Sequence, residues 1–147
     1  MKGRRLGIDV GAVRVGVALG DPDGLLATPL ATVARDAAHG TDLATIAGLV
    51  AEHDVVGIVV GLPLTLAGRE GPAAEAARAF AAALADRLAR HPGGGLAVPV
   101  ELVDERLTTV VATRQMRESG RRGRRQRAVV DQVAAVAILQ SWLDAHR

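Results

Sequence analysis

Three carboxylates, far apart in the chain, are of a type that could do chemistry together: Asp9, Glu105 and Asp131. Asp9 interrupts an apolar alternation. Leu6, Ile8 and Val10 take turns with Gly7, Asp9 and Gly11, the period of a strand. An unpaired carboxylate is costly to bury, so an Asp in a central strand must be paired, hydrogen-bonded or bound to a metal. The neighbouring glycines leave room for an ion, a phosphate or another backbone. Glu105 stands in Asp104-Glu105-Arg106-Leu107-Thr108-Thr109, and Asp131 in Val129-Val130-Asp131-Gln132-Val133-Ala134-Ala135. Brought together from separate elements, the three make an oxygen-rich site for Mg²⁺ or Mn²⁺. Two such ions about 3.5–4 Å apart would clamp a phosphodiester, one activating water and the other stabilising the leaving oxygen. The ions would also relieve the repulsion among three carboxylates.

Each residue has a plainer reading as well. Asp9 can be a turn aspartate bonded to its own backbone. Asp104-Glu105 can open a helix, and Asp131 can sit in a helix's first turn, both favoured by the helix dipole. Gly61-Leu62-Pro63 can simply end a strand. Only the combination on one sheet favours a site.

The elements that must position these residues follow in order. Arg4 to Asp21 reads as two strands joined by a tight turn, with Gly11 free to take positive φ and reverse the chain. Asp21-Pro22-Asp23-Gly24 is a turn, and Leu25 to Val33 a third strand placed at an edge by Pro29. Thr41 or Asp42 caps a helix. The apolar run Val55 to Val60 is a strand buried on both faces, ended by Gly61-Leu62-Pro63. An Ala-rich helix spans about 73–90, Ala97 to Val103 is a strand, and a helix runs from Thr108 or Thr109 to about Ser119. A Gly- and Arg-rich segment, about 119–127, reads as flexible, and a last helix covers about Ala128 to Ala145. Val130, Val133, Ala134, Ala137 and Ile138 form its buried stripe, with Asp131 at the border. Three meander strands followed by βα crossovers predict an α/β fold. Its mixed five-stranded sheet has a three-strand antiparallel meander, two parallel strands and helices on both faces.

Composition narrows the function. The 147 residues fit a single domain, 1–147, and 49% of them are hydrophobic, which excludes global disorder. Phe80 and Trp142 are the only aromatics, too few for a stacking platform on nucleic acid. With no Cys, thiolate and Cys-zinc chemistry are excluded, and the four His are not at ligand spacing. No 18-residue apolar run exists, so a soluble cytoplasmic protein without a membrane partner is expected. Residues 121–127 hold five Arg (Arg121, Arg122, Arg124, Arg125 and Arg127); taking these from the net charge of +2 leaves the rest of the chain at −3. Basicity is therefore local, as in a solvated loop or a polyanion contact.

Gly7-Ile8-Asp9-Val10-Gly11 with Val15-Gly16-Val17-Ala18, Val60-Gly61-Leu62-Pro63-Leu64 with Gly68 and Gly71, the Asp104–Thr109 hexapeptide, and Val130–Ala135 running into Ile138-Leu139-Gln140 resemble the YqgF (RuvX-like) family of the RNase H-like superfamily, essentially end to end. The resemblance implies an RNase H-like, metal-dependent nuclease with Asp9, Glu105 and Asp131 as catalytic acids and metal ligands. Members are described as nucleases maturing the 5′ end of pre-16S rRNA and as Holliday-junction resolvases. Structured precursor rRNA is the preferred substrate here and branched, four-way DNA the alternative. Val10, Ala12 and Thr65 depart from the family's usual aromatic, hydroxyl and Asn, and the basic segment before Asp131 has Arg where Lys is usual; the polar groups lost at 12 and 65 bear on a substrate or phosphate contact and not on the metal site. Arg106 and the five Arg of 121–127 are candidates to contact phosphates, with pairing to a nearby acid as the other role open to Arg106, and a monomer or weak homodimer is expected. A phosphotransferase of the actin-like type would need a second domain, for which the chain is too short, and no Gly-x-x-x-x-Gly-Lys-Ser/Thr loop is present. A non-catalytic nucleic-acid adaptor is the other rival, and it would tolerate loss of Asp9.

Overall fold

The computed structural model describes residues 3–90, 98–107 and 124–147. Strands β1 (Arg5–Val10), β2 (Arg14–Gly20) and β3 (Ala27–Ala34) form the antiparallel meander. Helix α1 (Thr41–Glu52) leads to β4 (Gly57–Leu62), and α2 (Pro72–Ala89) precedes β5 (Val100–Asp104). A single 3₁₀ turn (Glu105–Leu107) follows β5, and α3 (Arg124–Ala145) closes the fold. The sheet order is β3-β2-β1-β4-β5, with β4 parallel to both β1 and β5. Thus β1 is central and β3, carrying Pro29, is an edge, as the sequence predicts. A bulge between Val17 and Ala18 absorbs one extra residue of β3.

The two faces of the sheet differ in side-chain size, and this sets where each helix lies. Leu6, Ile8 and Val10 with Val15, Val17, Ile58, Val60 and Leu62 form the larger core, against Ile46 and Val50 of α1 and Phe80 and Leu84 of α2. The opposite face presents Gly7 and Asp9, Gly16 and Ala18, and Val59 and Gly61. There α3 lies close, with Ala134, Ala135, Ile138, Leu139 and Leu143 buried. A Cβ on Gly7 would stand 2.5 Å from Leu139 Cβ and 2.7 Å from the Ala135 carbonyl oxygen. The room beside Gly7 is therefore filled by another backbone, one of the three options the sequence left open.

Several expectations need correction. Gly11 does not adopt positive φ. Its N–H donates to the Arg14 carbonyl at 2.9 Å, and a Cβ there would sit 2.5 Å from that oxygen, so close approach requires the glycine. Neither Thr41 nor Asp42 caps α1. Gly40 holds the N-cap position, in left-handed backbone, and Asp42 is buried, accepting the Asp36 N–H. β4 continues through Gly61 and Leu62, so these are strand residues and not its terminator. All six residues of β4 are buried, as expected of a two-sided strand. β5 begins at Val100, later than predicted.

Helix α3 starts at Arg124 and not near Ala128, because Arg and Gln are good helix formers and extend the packed segment outward. Arg124, Arg125 and Arg127 are therefore helical, and Asp131 lies two turns inside the helix, beyond the reach of its first-turn dipole. The stripe is also rotated. Val133 is 45% exposed, whereas Asp131 shares the buried side at i, i+3, i+4, i+7 and i+8 with Ala134, Ala135, Ile138 and Leu139. The helix expected from Thr108 or Thr109 to Ser119 and the first part of the Arg-rich segment, including Arg121 and Arg122, lie outside the described residues.

Candidate active site

Asp9, Glu105 and Asp131 are 0%, 2% and 2% exposed, unusual values for carboxylates that are not tied to a charge or a function. Asp9 is next to last in β1, on the α3 face. Its cross-strand partner in β2 is Gly16. On its other side β4 runs parallel, with Ile8 opposite Val60, which puts Gly61 next in register. These two glycines bring the other acids in. A Cβ on Gly16 would collide with the backbone carbonyl oxygen of Asp131, and one on Gly61 would stand 2.5 Å from Glu105 Oε1. Asp131 is thus laid over one neighbour of Asp9 and Glu105 over the other. Glu105 reaches this place because β5 ends opposite Leu62, at Asp104, and the 3₁₀ turn folds the next residue inward. The three acids chosen from sequence thus lie over adjoining strand positions at one end of the sheet. The two glycines beneath them were missed, although a glycine inside an otherwise apolar strand marks a close backbone approach and was a usable signal.

Asp131 Oδ2 accepts a 2.8 Å charge-assisted hydrogen bond from Arg14 Nε. Beside this pair is a cleft of about 640 Å³, walled by the β1–β2 turn, Arg14, Arg35 and the first turn of α2 at Pro72 and Ala73. Arg35 is fixed there, its guanidinium 5.1 Å above the Phe80 ring and 3.8 Å from Asp42.

The RuvX family, described as Holliday junction resolvase, matches residues 3–145. Relatives from Mycobacterium sp. (strain KMS) and Mycobacterium tuberculosis (strain ATCC 25177 / H37Ra), each described as a "Putative pre-16S rRNA nuclease", are 57% and 56% identical. The matches cover 99% and 97% of this chain and 82% and 79% of theirs. This chain belongs to the RuvX family. Thermus thermophilus RuvC, solved in complex with Holliday junction substrate, has the same RNase H-like fold. Its TM-score is 0.57 at 14% identity, over 97% of this chain and 95% of that one.

Within this RuvX-family fold the donors suit a hard divalent cation: they are carboxylate oxygens only, with neither thiolate nor imidazole among them. Among the described residues no three His, Cys, Asp or Glu side chains stand close enough together to hold a metal ion as the structure is drawn. Of the family positions where this chain departs, Thr65 is engaged locally: its hydroxyl accepts the Arg69 N–H at 3.0 Å, in the turn closed by the Leu64–Glu70 bridge.

Arg106 is exposed and bonded to residues near it in the fold. Its Nε and Nη2 grip Asp104 at 2.6–3.1 Å, and Nη1 donates to the Leu66 carbonyl at 3.4 Å. Between the two roles open to it in the sequence, the structure records the pairing with a nearby acid. The Arg106 hydrogen bond, working against the smaller effect of burial, holds the Asp104 carboxyl below the usual aspartate range. A depressed folded-state value means the clasp contributes fully above the unfolded-state value and is lost as pH falls through the lower, folded one. In a carboxyl NMR titration, Arg106→Gln is expected to move the Asp104 midpoint upward, toward an ordinary aspartate. An unmoved midpoint would mean that the clasp does not form in solution.

Proposed function

We propose that this RuvX-family protein is a metal-dependent nuclease, a single RNase H-like unit acting in the cytoplasm, that hydrolyses phosphodiesters to mature the 5′ end of pre-16S rRNA. The observation that carries this reading is the burial of Asp9, Glu105 and Asp131 over adjoining positions at one end of β1. The relatives' description supplies the substrate.

Asp9, Glu105 and Asp131 would hold Mg²⁺ or Mn²⁺, two ions in all. The ions supply Lewis-acid stabilisation of the phosphoryl oxygens and a nucleophilic water at neutral pH. The chain's own contribution is placement. Asp9 is fixed by a strand paired on both sides, Asp131 by a packed helix and Glu105 by the turn after β5. Burial excludes bulk water around them and strengthens every electrostatic interaction there. Arg121, Arg122, Arg124, Arg125 and Arg127 would hold phosphates beside the site. Such contacts give affinity without sequence information.

A resolvase reading has its own support in the family's description and the RuvC-like fold. A paired assay separates the two: a pre-16S 5′ fragment and a four-way DNA junction, each with Mg²⁺ or Mn²⁺. Cleavage of the RNA alone is the expected result. Symmetric cutting of the junction alone would replace this reading with the resolvase, and tight binding without cleavage of either would favour the adaptor.

A further inference from the structure

Arg14 is positioned for two states. It follows the β1–β2 turn, opens β2 and reaches across to α3, where its Nε bonds Asp131 Oδ2 at 2.8 Å. Asp131 is 3% exposed at its side chain, whereas Arg14 is 24% exposed and lines the cleft that also holds Arg35. A divalent cation on Asp131 would need the lone pairs that Arg14 engages, and the two positive charges would repel. A guanidinium released from the acid has open space beside it, next to a second, fixed guanidinium. Two arginines in one groove match the oxygens of a phosphodiester, which Arg binds in bidentate fashion.

We propose that Arg14 is a displaceable counter-ion: it neutralises Asp131 in the metal-free protein, is displaced when a divalent cation binds, and then turns into the cleft beside Arg35 to hold a substrate phosphate. The inference rests on the metal-dependent reading above and adds a positioning residue and a phosphate subsite to it. It has an energetic consequence. Wild type must break an ion pair to take the metal, and a variant without that pair need not.

The test is calorimetric titration of Mn²⁺ into the wild-type chain, Arg14→Gln and Arg14→Lys, with no nucleic acid present. Arg14→Gln is expected to bind Mn²⁺ roughly tenfold more tightly than wild type, as the loss of one partly buried competing pair implies, with Arg14→Lys between them. Melting curves give a second readout that is independent of absolute stability. Mn²⁺ should raise the Tm of Arg14→Gln by more than it raises that of wild type. Binding of a short RNA in EDTA and in Ca²⁺ tests the second state: the gain in affinity on adding Ca²⁺ should be smaller for Arg14→Gln. Equal Mn²⁺ affinities, or an equal Ca²⁺ gain, would overturn the Arg14 proposal and leave the metal site standing. No Mn²⁺ binding by any of the three would overturn the metal-dependent reading, and the counter-ion role with it.

Discussion

Asp9→Asn is expected to lose cleavage by roughly three orders of magnitude or more and to lose the rise in melting temperature that Mg²⁺ gives wild type. The two effects share one cause. Asp9 is fully buried, with Glu105 set over one neighbour and Asp131 over the other. Asn keeps the size of the side chain and a hydrogen-bonding capacity, so packing along β1 is undisturbed. Added Mg²⁺ should then raise the Tm of wild type while leaving that of the variant nearly unchanged. Thermal melts with and without Mg²⁺, paired with a cleavage time course, check both effects. A variant that cleaves within tenfold of wild type would remove Asp9 from the chemistry. One that melts lower and still responds to Mg²⁺ would mean that Asp9 is structural.

The second large effect involves no acid at all. Gly16→Ala should destabilise the protein by about 3 kcal/mol, the upper end for overpacking, and abolish cleavage with it. The added Cβ would meet the backbone carbonyl of Asp131, and a backbone atom in the middle of a packed helix has no rotamer into which it can yield. Either α3 lifts from the sheet or β2 bends, and in both cases Asp131 leaves the neighbourhood of Asp9. Gly48→Ala is the matched control. That glycine lies inside α1, and a methyl group added to it would have nothing within 4 Å, so the exchange should stabilise by up to about 1 kcal/mol through helix propensity. Urea unfolding of the two variants reads both signs. A neutral Gly16→Ala would show that α3 does not pack closely on the sheet in solution.

Much of this arrangement is legible in the sequence because it depends on local patterns. A carboxylate that breaks an apolar alternation announces itself, and three strands followed by βα units admit few sheet orders. What was not legible depends on partners distant in the chain. Gly16 and Gly61 signal a close approach within their strands, but nothing near them in sequence says that Asp131 and Glu105 are what approaches. Val133 carries an apolar side chain on the solvent side, and this one residue is enough to turn the inferred stripe of α3 away from Asp131. The start of α3 is obscured for another reason: a dense basic cluster resembles a solvated loop, yet Arg has a high helix propensity, and a helix already anchored on the sheet can extend through it. Arg14 shows the same limit. Its partner is 117 residues away, and the spacing between them carries no trace of the contact.

Everything proposed for this chain depends on Asp9, Glu105 and Asp131 forming one metal-loaded centre. The most direct measurement is anomalous diffraction from crystals of this chain soaked in Mn²⁺. The expected result is anomalous density between these three carboxylates, lost in crystals of Asp9→Asn. Manganese bound elsewhere, with the three acids unliganded at saturating concentration, would contradict it.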